Sequence, residues 1–197
     1  MTIIERYLRF IAIVLLLCAA NESSAQLSKG QRKQVGKEAK ALAKEGWRPS
    51  PGNSSIEQQL ENMYSFRIAH NEVMDSKYIM GEGRGVSIDY ATAKMEALEF
   101  AKIELAGLIK TEVKSIFEEH ISNKQINASE AETNSLIEMY IKTHILQKLG
   151  RTIPLMELYR TVANSEMEVL VRLAYKNENL NEELKDDLEQ IVEQIKK

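Results

Sequence analysis

The sequence predicts an α+β protein, with a small, largely antiparallel sheet packed against helices in the order α-α-β-α-α-β-β-α. Three observations lead to this class. Apolar residues recur at helical spacing over residues 89–119. Two runs within residues 154–176 alternate apolar and polar side chains, as an antiparallel hairpin does. Residues 180–195 are again amphipathic with a helical period. The simplest arrangement places all the helices on one face of the sheet.

The N-terminus has the layout of a secretory signal peptide. Arg6 and Arg9 precede an unbroken apolar run over residues 11–20, and Ser23 and Ala25 form a small-residue cleavage site. A membrane-spanning helix needs about 20 apolar residues, roughly twice the length of this run. We therefore expect residues 1–25 to be removed by cleavage after Ala25. No later segment is apolar enough to span a membrane.

Cys18 is the only cysteine in the chain, and it lies inside the predicted signal. Lipoprotein processing would make it the acylated N-terminus, but Leu17 stands where that chemistry needs a small residue. We interpret Cys18 as part of the apolar signal core. The mature chain would then contain neither disulfides nor thiolate metal sites. It would carry 24 basic and 27 acidic residues, a net charge of −3 that argues against a dedicated nucleic-acid binder.

The first mature segment, residues 26–52, is expected to hold a helix and a linker. The helix lies within residues 26–47, with Val35, Ala39 and Leu42 at helical spacing and Gly46 as its C-cap. A turn-rich linker over residues 49–54 marks the boundary with the main domain, residues 53–197.

A second helix and a strand open the main domain. Ser55 and Gln58 form a capping box at the start of a helix predicted over residues 55–74. Residues 77–88 are β-prone but interrupted by Gly81, Gly83 and Gly85, which predicts an irregular or bulged strand.

The longest predicted helix, residues 89–119, has Asp89 as its N-cap. Small alanines early in its buried stripe allow close approach to a sheet, and larger residues fill a wider gap later. The stripe consists of Ala93, Ala97, Ala101, Leu105, Leu108, Val113 and Ile116, widened by Met95, Leu98, Ile109 and Phe117.

Three elements complete the prediction. A helix is expected over residues 130–149, and Asn164-Ser165 supply the hairpin turn. The C-terminal helix, residues 180–195, carries an apolar stripe that is a candidate docking element for a partner. This stripe contains Leu184, Leu188, Ile191, Val192 and Ile195.

Parts of this layout resemble a known family. They include Tyr78-Ile79-Met80-Gly81-Glu82-Gly83, the alanine ladder at Ala93, Ala97 and Ala101, and the closing strand Glu168-Val169-Leu170-Val171-Arg172-Leu173-Ala174-Tyr175. Over residues 45–176 the chain is similar to the LPP-twenty-like family of bacterial envelope proteins and to the N-terminal domain of a flagellar H-ring protein. The resemblance implies an envelope location and an α+β core, and it implies no enzymatic activity or cofactor. Many members are lipoproteins, and Cys18 departs from that pattern.

Sequence motifs for catalysis, nucleotide binding or metal binding are weak along the whole chain. The three glycines of residues 81–85 lack the spacing and following helix of a nucleotide-binding loop. His70, His120 and His144 show no metal-ligand spacing, and no serine-nucleophile signature occurs. We therefore expect no catalytic, cofactor or metal site. Hydrolase activity ranks last, and it would require histidines and carboxylates to meet in one cleft.

Trp47, the single tryptophan, is either an interface anchor or a plug at the end of the core, and the core role is favoured. The sequence thus predicts a non-catalytic protein of the periplasm or outer membrane that binds envelope proteins or a second copy of itself. The alternative is a periplasmic binding module for a lipid, glycan or peptide, which needs a concave apolar pocket between helix and sheet.

Overall fold

The computed structural model describes residues 27–71, 74–123, 129, 134–135, 137–139 and 152–177. The predicted signal with Cys18, most of the helix predicted over residues 130–149, and the C-terminal helix lie outside these residues. The order of elements is α1 (Lys29–Lys44), β1 (Arg48–Pro49), α2 (Ile56–Arg67), β2 (Tyr78–Ser87), α3 (Tyr90–Asn123), β3 (Ile153–Thr161) and β4 (Met167–Lys176). The α+β class is confirmed.

The four strands form one antiparallel sheet in the order β1-β3-β4-β2. The hairpin prediction is confirmed, because β3 pairs with β4 through a turn in which Asn164 and Ser165 both have positive φ. β1 was not predicted. It pairs with β3 only at Tyr159 and Leu158, and its Pro49 lies in the predicted linker.

Helices cover both faces of the sheet, so the expected one-faced packing is wrong. On β4, Val169, Val171, Leu173 and Tyr175 share a core with α3. The alternate residues Leu170 and Ala174 share a second core with residues of α1, α2 and β3. Successive side chains of a strand point to opposite faces, so β4 is buried on both sides.

The glycines of β2 explain how closely α3 packs. β2 pairs with β4 over ten consecutive residues, so the predicted bulge is absent from it. A Cβ atom on Gly81 would lie 2.7 Å from the Ala101 carbonyl oxygen, and one on Gly83 would overlap the backbone of Ala97. The glycines therefore admit the alanine ladder of α3. A register shift occurs instead in β3, between Pro154 and Met156.

The predicted starts of α2 and α3 are confirmed. Ser55 and Gln58 form the capping box of α2, and Asp89 Oδ1 accepts a hydrogen bond from Thr92 N at 2.9 Å. α2 ends at Arg67, earlier than predicted, because the chain turns back and His70 bridges to Ser76. Within the described part of the chain, no helix is both long and apolar enough to cross a membrane.

Candidate functional site

A cleft of about 400 Å³ lies between the start of α2 and the outer edge of β3. Its lining residues are Asn53, Ser54, Gln58, Gln59, Asn62, Pro154, Leu155, Met156 and Glu157. Amide side chains from the α2 side therefore face an apolar stretch of β3. This lining offers hydrogen-bond donors and acceptors beside an apolar wall, the composition that orients a small ligand.

Gln59 lines the cleft, and its side chain supplies the acceptor that a paired strand would otherwise give to β3 at Glu157 N. Its Oε1 accepts from Glu157 N at 2.8 Å, and its Nε2 donates to Ser54 O at 2.7 Å. The side chain is 6% exposed, and both ends of its amide are bonded. β1 pairs with Leu158 and Tyr159, and Ser50 N donates one further bond to Glu157 O at 3.2 Å. The cleft lies beside the part of β3 that precedes this bond, whose outer edge has no paired strand among the described residues.

A charged cluster lies on the α3 side of β3. Glu157 accepts a hydrogen bond from Tyr90 Oη, and Lys94 Nζ lies 2.9 Å from its Oε1. Burial by itself would raise the pKa of Glu157, but the bonds from Tyr90 and Lys94 outweigh it and lower this pKa. Burial and the bond to Glu157 raise the pKa of Tyr90, and the same carboxylate raises the pKa of Lys94. At neutral pH the carboxylate is therefore charged and already engaged, so its role is to tie β3 to α3.

A second ionic network joins β4 to the opposite layer. Arg172 Nε contacts Glu82 Oε2 at 2.6 Å, and Arg172 Nη1 lies 3.6 Å from Glu38 Oε1. Glu38 Oε2 in turn accepts from Tyr64 Oη at 2.8 Å. Burial opposes ionisation of Glu82, but Arg172 outweighs it and lowers the pKa of this carboxyl. Burial, followed by the bond to Glu38, raises the pKa of Tyr64. The network links β4, β2, α1 and α2.

Trp47 lies in the core, 2% exposed. The Arg160 guanidinium stands 4.5 Å from its ring centroid, and that of Arg84 stands 5.9 Å away. The core role favoured from the sequence agrees with this position, and almost no surface of Trp47 remains to anchor a partner. Arg160 also contacts the buried Glu168 at 2.6 Å, so the two polar residues beside the ring neutralise each other.

The outer surface of α3 exposes large apolar side chains. Met95 is 65% exposed, Phe100 54%, Ile103 64% and Leu108 43%. Met95 and Leu108 were predicted to face the sheet, and that prediction is wrong. The buried row instead steps strictly by four from Ala93 to Phe117. Four residues turn a helix 40° past one revolution, so the row drifts around the helix as it follows the twisted sheet.

The histidines do not assemble into a site in the described structure. His70 is exposed, with its Nδ1 2.8 Å from Ile68 O. The His120 side chain and His144 lie outside the described residues. Over the described ranges, no three His, Cys, Asp or Glu side chains come together as a metal site would require. Gly81, Gly83 and Gly85 face α3 and leave no room for a phosphate.

Neither the cleft nor the exposed face of α3 was predicted from the sequence. From the sequence, Asn53 was assigned to the linker, and Gln58 and Asn62 to the surface of a helix. The cleft beside them exists because β1 ends at Pro49, which the sequence pattern did not predict. Phe100 and Ile103 did carry a signal, since both fall outside the four-residue ladder. The predicted docking stripe at Leu184, Leu188, Ile191 and Ile195 lies outside the described residues.

The arrangement of a twisted antiparallel sheet between α3 and the α1–α2 pair is what defines this molecule. The chain matches no family model, no curated protein and no solved structure.

Proposed function

We propose that this chain is an exported, non-catalytic protein of the bacterial envelope, periplasmic or associated with the outer membrane, that acts by binding another envelope protein. The predicted signal peptide and the resemblance to the LPP-twenty-like family support the location. The exposed apolar face of α3 is the observation that supports action by protein binding. This face, which we call the α3 outer face, consists of Met95, Phe100, Ile103, Gly107 and Leu108.

The α3 outer face contributes nothing to the core, because α3 already buries its other side against the sheet. Phe100, Ile103 and Gly107 are neighbours on the helix surface, being three and four residues apart. Adjoining exposed apolar side chains are typical of protein interaction sites. One helical turn after Ile103, a Cβ atom on Gly107 would meet no atom within 4 Å. A glycine inside a helix costs about 1 kcal/mol relative to alanine. A glycine at this position would allow a partner to approach the helix backbone closely, which would account for its cost. We therefore propose that a helix of the partner packs across Ile103 and Gly107.

Two measurements test the proposal. N-terminal sequencing of the protein recovered from fractionated cells is expected to begin at Gln26, in an envelope or periplasmic fraction. A photo-crosslinking residue at Ile103 is expected to give one discrete adduct with an envelope protein, and Phe100→Ser in the same chain is expected to abolish it. The same probe at Ala163, exposed at the hairpin turn, is the control. An adduct with a second copy of the chain would identify the partner as self.

Cytoplasmic recovery of an unprocessed chain would refute the location. Equal adducts at Ile103 and Ala163, or an adduct that survives Phe100→Ser, would refute the role of the α3 outer face.

The cleft beside β3 favours a second candidate, a periplasmic binding module. Its exposed amides from Asn53, Gln58 and Asn62 suit the hydroxyls of a glycan or the backbone of an extended peptide better than a lipid chain. Glycan-array and peptide-library binding by the wild type, lost in Asn62→Leu and retained in the distant variant Ile103→Ser, would support it. Binding that both variants retain would place the ligand elsewhere.

A further inference from the structure

α1 presents a continuous basic face to solvent. Its basic residues are Lys29, Arg32, Lys33, Lys37, Lys40 and Lys44, and all of them are exposed. At 100° per residue they fall within one sector of the helix, and five of them repeat once per turn. The single acid of α1, Glu38, faces inward, where it contacts Arg172 and Tyr64. None of the six basic residues has an ion-pair partner within the described structure.

The inward side of α1 accounts for its packing without these charges. Val35 is buried, and Ala39 and Leu42 pack against the same core as Trp47 and Leu60. The capping box of Ser28 and Gln31 starts the helix. The basic residues are therefore not required by the fold. At about 1.5 Å per residue, they form a row roughly 22 Å long.

The charge of α1 opposes that of the rest of the chain. Lys29–Lys44 holds six basic residues and one acid, a net charge of +5. Residues 45–197 hold 18 basic and 26 acidic residues, a net charge of −8. The described residues from 45 onward hold 11 basic and 16 acidic residues, so a polyanion that wraps around the protein would be repelled away from α1, whereas a planar anionic surface needs to contact only one face.

From this geometry we propose that α1 docks the protein on an anionic lipid surface, with its basic face against the headgroup phosphates. A row of lysines near such a surface is attracted by its negative potential, and each contributes separately. The occupant is a lipid surface rather than an acidic protein because the face has a single sign of charge and exposes no large apolar anchor.

The position of α1 in the chain supports a lipid occupant independently. Eight residues, 21–28, separate the apolar run over residues 11–20 from Lys29. Fully extended, such a segment spans at most about 28 Å. During the export that we propose above, α1 would therefore emerge beside the bilayer. This step rests on the proposed function, whereas the charge geometry does not.

Vesicle sedimentation of the purified, processed protein tests the proposal. The vesicles are phosphatidylcholine alone or phosphatidylcholine with phosphatidylglycerol, each at low and high salt. We expect binding only with phosphatidylglycerol, weakened by salt because the Debye length shortens. The triple variant Lys33→Gln, Lys37→Gln and Lys40→Gln should lower the partition coefficient about 100-fold.

The matched control replaces Lys102, Lys110 and Lys114 of α3 by Gln, since it makes the same change in charge across the sheet from α1. It should change the partition coefficient less than about threefold, because surface potential acts only over a Debye length. Equal losses in both variants, or equal binding to both vesicle types, would overturn the proposal. So would binding to duplex DNA or to an acidic protein without vesicle binding. None of these outcomes bears on the α3 outer face, which remains intact in the α1 variant.

Discussion

Gly83 lies directly against the backbone of Ala97, so closely that a Cβ atom on Gly83 would overlap the Ala97 carbonyl oxygen. Gly81 and Gly85 repeat the contact one step away on either side. Two strand residues advance about 6.8 Å and four helix residues about 6.0 Å, so the strand and the helix stay nearly in step. The glycines of β2 and the alanines of α3 are thus complementary surfaces.

Gly83→Ala should destabilise the protein by about 3 kcal/mol, because a backbone atom rather than a flexible side chain stands in the way. Gly107→Ala is the matched glycine control on α3, with open space around it, and should stabilise the protein by up to about 1 kcal/mol. Urea unfolding followed by Trp47 fluorescence measures both. Similar effects of the two changes would contradict the close packing.

Gln59→Leu should destabilise the protein by about 1–3 kcal/mol, since it leaves Glu157 N without its acceptor in a part-buried position. Gln34→Leu, on the exposed surface of α1, should change stability by less than about 0.5 kcal/mol. The free energy of unfolding from urea titration compares the two variants with the wild type. If Gln59→Leu behaves like Gln34→Leu, the amide does not replace a strand.

Acid should weaken the Arg172–Glu82 contact. The pKa of Glu82 is lowered in the folded protein, so its contribution is present above the ordinary value of 4.5 and is lost as pH falls through the folded pKa. In Arg172→Met this contribution disappears, so the variant should lose less stability than the wild type between pH 6 and pH 3, about the range of carboxylate titration. Parallel pH dependences would contradict this assignment.

Arg160→Met should cost about 3 kcal/mol, because it leaves the buried Glu168 without its partner. Arg160→Lys should fall between that variant and the wild type, since an ammonium group cannot both stack on Trp47 and pair in a planar geometry. The double variant Arg160→Met with Glu168→Leu should regain part of the loss. Urea titration of the wild type, Arg160→Met, Glu168→Leu and the double variant forms the double-mutant cycle, and a double variant less stable than Arg160→Met would contradict it.

Two carboxylates cover the outer edge of β2. Val86 N donates to Glu96 Oε2 at 3.2 Å, and Glu82 N donates to Glu104 Oε2. Glu96→Ala with Glu104→Ala should expose this edge and promote association in analytical ultracentrifugation as concentration rises. Glu99→Ala, which removes an exposed partner of Lys102, should have the same association state as the wild type. Equal association of the variants would show that these carboxylates do not protect the edge.

Local patterns predicted the elements well, because their causes lie within a few residues. The capping box at Ser55 and the cap at Asp89 each involve a partner three residues away. The hairpin turn at Asn164-Ser165 is equally local.

The features that the sequence pattern did not predict depend on contacts between residues far apart in the chain. Glu168 and Arg172 made one face of β4 look solvated, yet Arg160 and Glu82 pair with them and that face is covered. The cleft likewise depends on where β1 stops, which only the pairing of Pro49 with Leu158 sets.

The order β1-β3-β4-β2 has a consequence for how the chain folds. Tyr78 pairs with Lys176 and Ser87 with Met167, so β2 finds its partner strand 80 to 98 residues further along. Contacts of such long sequence separation close slowly, because a large loop must be ordered before they form. During synthesis, α3 has no completed sheet to pack on until β4 has been made. We therefore expect the purified chain to refold slowly for its length after dilution from denaturant.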